Sequence, residues 1–194
     1  MPFTRPRRCL SGGNWCLKIM KKVIINGENL TLTQIEHVVR GGVKISLGKE
    51  IKKRVDSAQR TIKKAIDDKK VIYGVTTGFG ALSGTFISKG ERKQLQRNII
   101  LSHSAGVGDR FDEEVVRAIM LLRINGLAKG NSGVRFGTLN TLTEMLNKNV
   151  HPVIPEKGSV GASGDLAPLA HLALVLIGEG EAVFKDKLLS GKKA

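Results

Sequence analysis

Thirteen residues toward the end of the chain, Asp165–Ile177, carry one charge at their first position and otherwise, apart from Pro168 and His171, only Leu, Ala, Val and Ile. A helix that is apolar all round is buried, so the rest of the chain has to fold around this segment. Leu166–Ile177 falls well short of the roughly 20 residues needed to cross a bilayer, which points to a protein interior and to a soluble chain. Pro168 is tolerated in the first turn, where N–H groups lack intrahelical partners, and Asp165 is placed to cap it. Gly178–Gly180 ends the helix, and Ala182–Leu189 around Lys185-Asp186-Lys187 reads as a hairpin.

The other segments are shorter and punctuated by glycine. A strand is expected at Val23–Ile25, followed by a turn at Asn26-Gly27 and a helix capped by Thr33 with Glu36 as its capping-box partner. Gly41-Gly42 stops that helix, and Val43, Ile45 and Leu47 alternate as a second strand. Ile51, Val55, Ala58, Ile62 and Ala65/Ile66 share one helix face, with basic residues on the other. Val71-Ile72-Tyr73 reads as a short buried run. Further helices are expected at about 90–104, at 112–128 with Asp112 as N-cap, and at 134–148 with Leu139, Leu142, Met145 and Leu146 facing inward. His151-Pro152 and Ile154-Pro155 force extended chain. With 41% hydrophobic residues, 4% aromatics, 23 Gly and 5 Pro in 194 residues, the expected fold is mainly α with a few short strands.

A net charge of +15 raises the question of a nucleic-acid partner. Its distribution argues against one: part lies in Arg5, Arg7, Arg8 and Lys18, and much of the rest lies on the solvated face of the Lys49–Lys70 helix, without an aromatic platform or groove-reading motif. Residues 1–19 are Arg-rich, lack acids and hold both Cys9 and Cys16 and the single Trp, whereas Met20-Lys21-Lys22 reads like an ordinary start. The expected division is therefore 1–19 as an upstream or non-native extension, with a transit peptide as the rival reading, and 20–194 as the folded portion. The placement of the two cysteines leaves no disulfide framework for the main body and suits a reducing cytosol. His37 and His151 show no ligand spacing, so no metal site is expected.

Two glycine-rich loops remain, Gly74–Gly80 and Gly158–Gly164. Neither has the Gly-Lys-Ser/Thr ending of a phosphate-binding loop or the spacing of a dinucleotide fingerprint. The run Gly158-Ser159-Val160-Gly161-Ala162-Ser163-Gly164-Asp165-Leu166-Ala167-Pro168-Leu169-Ala170-His171 resembles, over its whole length, the signature of the aromatic amino-acid ammonia-lyase family, in the L-aspartase-like superfamily. The resemblance implies that Ala162-Ser163-Gly164 cyclises with loss of two waters to a 4-methylidene-imidazol-5-one (MIO), a self-made electrophile that needs no external cofactor. Residue types suit that chemistry: Gly164 lacks a Cβ and bends freely, Ser163 has a hydroxyl that leaves as water, and Ala162 is small. Asp165 is implied beside the ring, assisting dehydration, at the positive end of the following helix.

Tyr73-Gly74-Val75-Thr76-Thr77-Gly78-Phe79-Gly80 resembles the family loop that bears the catalytic tyrosine, and Tyr73 is the only tyrosine of the chain. A tyrosinate serves as base for a weakly acidic β-proton when helix N-termini or cations bring a phenol down from about 10. Gly80 closes the loop as a supporting residue. Thr76 stands where many histidine-directed members carry Asn, a mild pull toward phenylalanine. Leu101-Ser102-His103-Ser104-Ala105-Gly106-Val107-Gly108 resembles the histidine-directed form of the specificity segment, with His103 a directional contact to a substrate imidazole. Leu121–Gly126 and Asn131-Ser132-Gly133 agree with the family pattern, and His171 is expected to pack or hydrogen-bond within its helix.

The resemblance implies the N-terminal, MIO-bearing domain of a longer enzyme whose helical bundle follows, a homotetramer in the cytoplasm that converts L-histidine to trans-urocanate; a chain without the bundle is expected to be inactive by itself. The competing expectations are a phenylalanine or tyrosine lyase or aminomutase, and, from other classes, a non-catalytic remnant or a basic nucleic-acid binder. No membrane partner is expected.

Overall fold

Thr31, in extended conformation, accepts the Gln34 N–H at 3.3 Å while Gln34 Oε1 accepts the Thr31 N–H at 2.9 Å, a reciprocal cap that starts helix α1 (Leu32–Val39). The start expected at Thr33 is thus corrected by two residues: Thr33 lies inside the first turn, and Glu36 instead pairs with Arg40 one turn on. The computed structural model describes residues 22–41, 43–80, 83–84, 87 and 90–194. The 1–19 segment with its two cysteines lies outside them.

Strands β1 (Lys22–Ile25) and β2 (Lys44–Leu47) flank α1 and pair in parallel, Val23 opposite Ile45. Strand β1 alternates exposed and buried residues and β2 buries Ile45, so Val23, Ile25 and Ile45 point to one interior. Asn147 serves the outer backbone of β2, accepting the Ile45 N–H at 2.9 Å and donating to its carbonyl at 3.0 Å. Helix α2 (Ile51–Asp67) buries Ile51, Val55 and Ala65 and turns its lysines outward, as its periodicity predicts. Helices α3 (Arg92–His103), α4 (Glu113–Ala128) and α5 (Phe136–Asn147) follow, with β3 (Val107–Arg110) between the first two. Asp112 occupies the N-cap position of α4, but its side chain makes no capping bond there.

The core is centred on α4 and α5: Val116, Met120, Leu121, Ile124, Leu139, Leu142 and Leu146 are almost wholly excluded from solvent. Arg117, 2% exposed, lies among them. Its guanidinium donates to the Val38, Val39 and Leu146 carbonyls, to Asn149 Oδ1 and to His151 Nε2, at 2.7–3.3 Å. One cation therefore supplies the donors that the C-terminal ends of α1 and α5 lack. Burial lowers the pKa of Arg117 against the raising effect of Glu113.

Beyond α5 the chain is extended, as the two X-Pro pairs require. Strand β4 (His151–Pro152) pairs with β6 (Glu181–Phe184), which forms a hairpin with β7 (Lys187–Ser190). Lys185 and Asp186, both at positive φ, make the two-residue turn. Strand β5 (Pro155–Lys157) pairs antiparallel with β3.

Helix α6 (Leu166–Leu176) corrects two expectations. It buries Pro168, Ala170, Leu172 and Val175 but leaves Leu166 and Ile177 nearly half exposed, so it is sunk on one side only. Asp165 does not cap it: at φ 57 and ψ 45 its side chain is turned back along the preceding loop. The Val71–Tyr73 run is likewise neither a strand nor buried, with Val71 74% and Tyr73 62% exposed.

Candidate active site

Three segments singled out from the sequence take defined shapes. The first is the tyrosine loop. Thr76 and Thr77 are fully buried beneath it. Thr76 Oγ1 accepts the Ile72 N–H and donates to the Lys70 carbonyl, each at 2.8 Å, and Thr77 Oγ1 accepts the Gly74 N–H and donates to the Gly78 carbonyl. The two hydroxyls replace the ladder a strand would have provided. Gly74 has φ 70, and a Cβ there would lie 2.8 Å from the Phe79 ring. That ring meets Tyr73 edge-on, with centroids 5.4 Å apart, and the Gly80 N–H donates to the Tyr73 hydroxyl at 3.4 Å. The phenol is thus aimed by Phe79 and Gly80 while its ring stays open to solvent.

The second segment is the end of α3. His103 Nδ1 lies 2.8 Å from the Ile99 carbonyl and 3.1 Å from the Ser102 hydroxyl. A carbonyl only accepts, so Nδ1 carries the proton, which leaves Nε2 as the ring nitrogen able to accept in the Nδ1–H tautomer.

The third segment runs from Gly158 to Asp165. Gly161–Ser163 form a single 3-10 turn, and Gly164 is left-handed at φ 86, with open space where a Cβ would stand. The Val160 carbonyl gathers three donors, the Ser163 N–H at 2.9 Å, the Asp165 N–H at 3.3 Å and the Ser163 hydroxyl at 2.7 Å. Ser159 Oγ donates to Asp165 Oδ1 at 2.6 Å. Ala162, Ser163 and Gly164 are exposed and tightly turned, with nothing within 4 Å of a Cβ placed on Gly164, which suits a ring-forming tripeptide.

The second and third segments are brought together. Helix α3 packs along α6, and Arg97 holds Glu179 with two bonds of 2.7 and 3.1 Å. At the other end of α3 the Gly106 N–H donates to His171 Nε2 at 3.2 Å, and Gly158 approaches so closely that a Cβ on it would stand 3.1 Å from the Gly106 Cα. His171 is therefore the bolt between the His103 segment and the helix that begins beside Asp165; burial lowers its pKa, consistent with a neutral acceptor. Sequence reasoning placed His171 in its helix but not its partner, because nothing in the local pattern pairs positions 106 and 171. A cleft of about 410 Å³ adjoins Ser159 and Asp165, lined further by Phe111, Ile119, Leu122, Arg123, Pro168 and Leu169. The side-chain hydrogen bonds of the tyrosine loop described above close within residues 70–80, and the Thr76 carbonyl also accepts the Ile87 N–H at 2.9 Å.

Residues 30–194 match the aromatic amino acid lyase family. The histidine ammonia-lyase of Alkaliphilus oremlandii is 57% identical over 90% of this chain, and that of Clostridium tetani 52% identical over 92%. Among solved structures, the histidine ammonia-lyase of Trypanosoma cruzi superposes with a TM-score of 0.80 at 35% identity, covering 89% of this chain and 33% of that one. The phenylalanine aminomutase of Pantoea agglomerans superposes at 0.83 with 34% identity, covering 90% and 33%. The chain spans about a third of the length of the curated relatives it matches, 34% of the Alkaliphilus protein and 35% of the Clostridium one. With the tyrosine loop, the His103 segment and the Ala-Ser-Gly turn all inside the matched region, the chain belongs to the aromatic amino acid lyase family.

Proposed function

We propose that these residues are the part of a histidine ammonia-lyase that bears the base, the prosthetic tripeptide and one substrate contact, and that in the complete subunit they eliminate ammonia from L-histidine to give trans-urocanate. The single observation that carries the substrate choice is the fixed ring of His103. With its Nδ1 proton committed to the Ile99 carbonyl, His103 offers Nε2 to the N–H of a substrate imidazole. A benzene or phenol ring has no N–H to return. Identities above 50% to histidine ammonia-lyases support the same choice, whereas the shape of the fold does not discriminate, since aminomutases superpose equally well.

Tyr73 takes the β-proton of the substrate. Its phenol oxygen is held by the Gly80 N–H and its ring by Phe79, so the oxygen stands ready without a folding rearrangement. The MIO group that Ala162, Ser163 and Gly164 would form supplies an electrophile for the substrate amino group. The Val160 carbonyl orients the Ser163 hydroxyl before it is lost. Asp165, held by Ser159, is the carboxylate nearest in sequence to the tripeptide and assists its dehydration. We place this activity in a homotetramer in the cytoplasm; no helix among the described residues is long and apolar enough to cross a membrane. The chain by itself is expected to give little urocanate.

The test has two readings. Mass analysis of the peptide containing 162–164 should show the loss of two waters. The complete subunit, supplied in turn with L-histidine, L-phenylalanine and L-tyrosine, should release urocanate from the first and almost nothing from the others. Cinnamate or coumarate as the main product would overturn the substrate, and an unmodified tripeptide in an active enzyme would overturn the chemistry.

A further inference from the structure

We propose that Ser159 is a positioning residue for the chemistry of the tripeptide: its hydroxyl clasps the Asp165 carboxylate across the neck of the 159–165 loop, which holds the turn compressed and keeps one carboxylate oxygen free to take a proton. The inference rests on the reading of Ala162, Ser163 and Gly164 as the precursors of the prosthetic group, and it assigns a residue which that reading leaves without a reason.

The backbone of Asp165 supplies the first argument. An aspartate at a helix N-cap ordinarily sits in extended conformation and accepts an N–H of the first turn. Here it adopts the left-handed region, φ 57 and ψ 45, and makes no capping bond. Aspartate is among the few residues with a Cβ that visit left-handed backbone, by hydrogen-bonding locally, and here that local bond is the 2.6 Å contact from Ser159 Oγ to Asp165 Oδ1, six residues back along the chain, made in place of a cap. That is a short, charge-assisted bond. It closes the same loop that the Asp165 N–H to Val160 carbonyl bond closes through the backbone.

Chemistry supplies the second. Ring closure bonds the Gly164 nitrogen to the Ala162 carbonyl carbon, and the carbonyl oxygen leaves as water with the amide protons of Gly164 and Ser163. Dehydration then removes the Ser163 Cα proton and hydroxyl as the second water, leaving a carbon–carbon double bond. No oxidant is needed. Both steps are helped by a short distance between the ends of the turn and by a fixed proton acceptor. Ser159 serves both needs: Oδ1 is occupied by its hydroxyl, and among the described residues the other carboxylate oxygen of Asp165 has no hydrogen-bond partner. Ser159 is exposed, so packing does not account for its place.

The experiment follows water loss with time. The complete subunit is made by cell-free translation, and the mass of the 162–164 peptide is sampled as the protein ages, with thermal melting as a fold control. Wild type should lose two waters. Ser159→Ala should do so about tenfold more slowly, while Ser159→Thr, which retains the hydroxyl, restores the wild-type rate. Asp165→Asn keeps an oxygen to accept from Ser159 but has no carboxylate, and should stall with at least one water retained. Ser159→Ala at the wild-type rate, or Ser159→Thr as slow as Ser159→Ala, overturns the clasp. A wild-type subunit that keeps both waters overturns the reading of the tripeptide itself, and the clasp with it.

Discussion

The two glycine-rich loops solve the same problem by opposite means. The tyrosine loop is anchored from below, by the buried hydroxyls of Thr76 and Thr77, each accepting one backbone N–H and donating to one carbonyl. The tripeptide loop is wholly exposed at Gly161–Asp165 and is held at its neck, by the Val160 carbonyl and by the Ser159 to Asp165 bond. The base proposed at Tyr73 has to be steady, and anchoring through buried hydroxyls makes it so. A tripeptide that is to react with itself has to be squeezed yet left accessible. Buried anchors suit the first task, and a surface clasp suits the second.

Substitutions should break the two loops separately. The largest effect is expected from Thr76→Val, which removes the part-buried bonds of its hydroxyl to the Ile72 N–H and the Lys70 carbonyl, together worth about 2 kcal/mol. Amide exchange at Ile72 should quicken and product formation fall through misplacement of Tyr73, while the tripeptide still loses its two waters; retained protection at Ile72 would show that the hydroxyl is not the anchor. Next comes Gly74→Ala, where left-handed backbone and the nearby Phe79 ring together cost about 1–2 kcal/mol. Its readout is the same pair, lowered turnover with normal water loss.

Gly164→Ala should cost about 1 kcal/mol in thermal unfolding, since its backbone is left-handed but the space around it is open. Here the pattern inverts: the fold survives and the loss of water is impaired. The smallest effect is expected from His171. Burial lowers its pKa below the ordinary 6.5, so the native state favours the neutral ring that accepts from Gly106. The unfolded chain binds more protons in that range, and stability rises with pH there. The contribution is full above about pH 6.5 and is lost as pH falls through the depressed native value. Exchange of the Gly106 amide should therefore accelerate on acidification and not on raising the pH, with the tyrosine loop unaffected.

Much of the helical frame was legible. The periodic faces of α2 and α5 place Ile51, Val55, Leu139, Leu142 and Leu146 inward, because a helix that packs on one side must repeat its apolar residues every three or four positions. The cap of α1 was misread by two residues because Thr31 and Thr33 each precede a polar residue three positions on, Gln34 and Glu36, and local pattern ranks them alike. The turn that starts at Asn26, where the side chain accepts the Glu28 and Asn29 N–H groups, leaves Thr31 at the helix start. The β3 to β5 pairing had no local signal at all. Val107–Arg110 is exposed throughout, with a left-handed Gly108, and becomes a strand because Pro155–Lys157 lies alongside it.

Sequence alone determined the residue types on which the proposed chemistry draws: a tripeptide with a hydroxyl and an unhindered glycine nitrogen, the chain's single tyrosine in a glycine-bounded loop, and a histidine at a helix end. Such identities are set by covalent chemistry, and spacing along the chain preserves them. Only the tertiary structure decided the seating of His103 Nδ1 on the Ile99 carbonyl, the bolt between His171 and Gly106, the turning of Asp165 away from its helix and toward Ser159, and the burial of one side of α6. The contact of His171 with Gly106 spans 65 residues and is settled by how α3 packs along α6, to which no local pattern has access, whereas those of His103 and Asp165 are near in sequence and are made because the helix end and the loop take their particular turns.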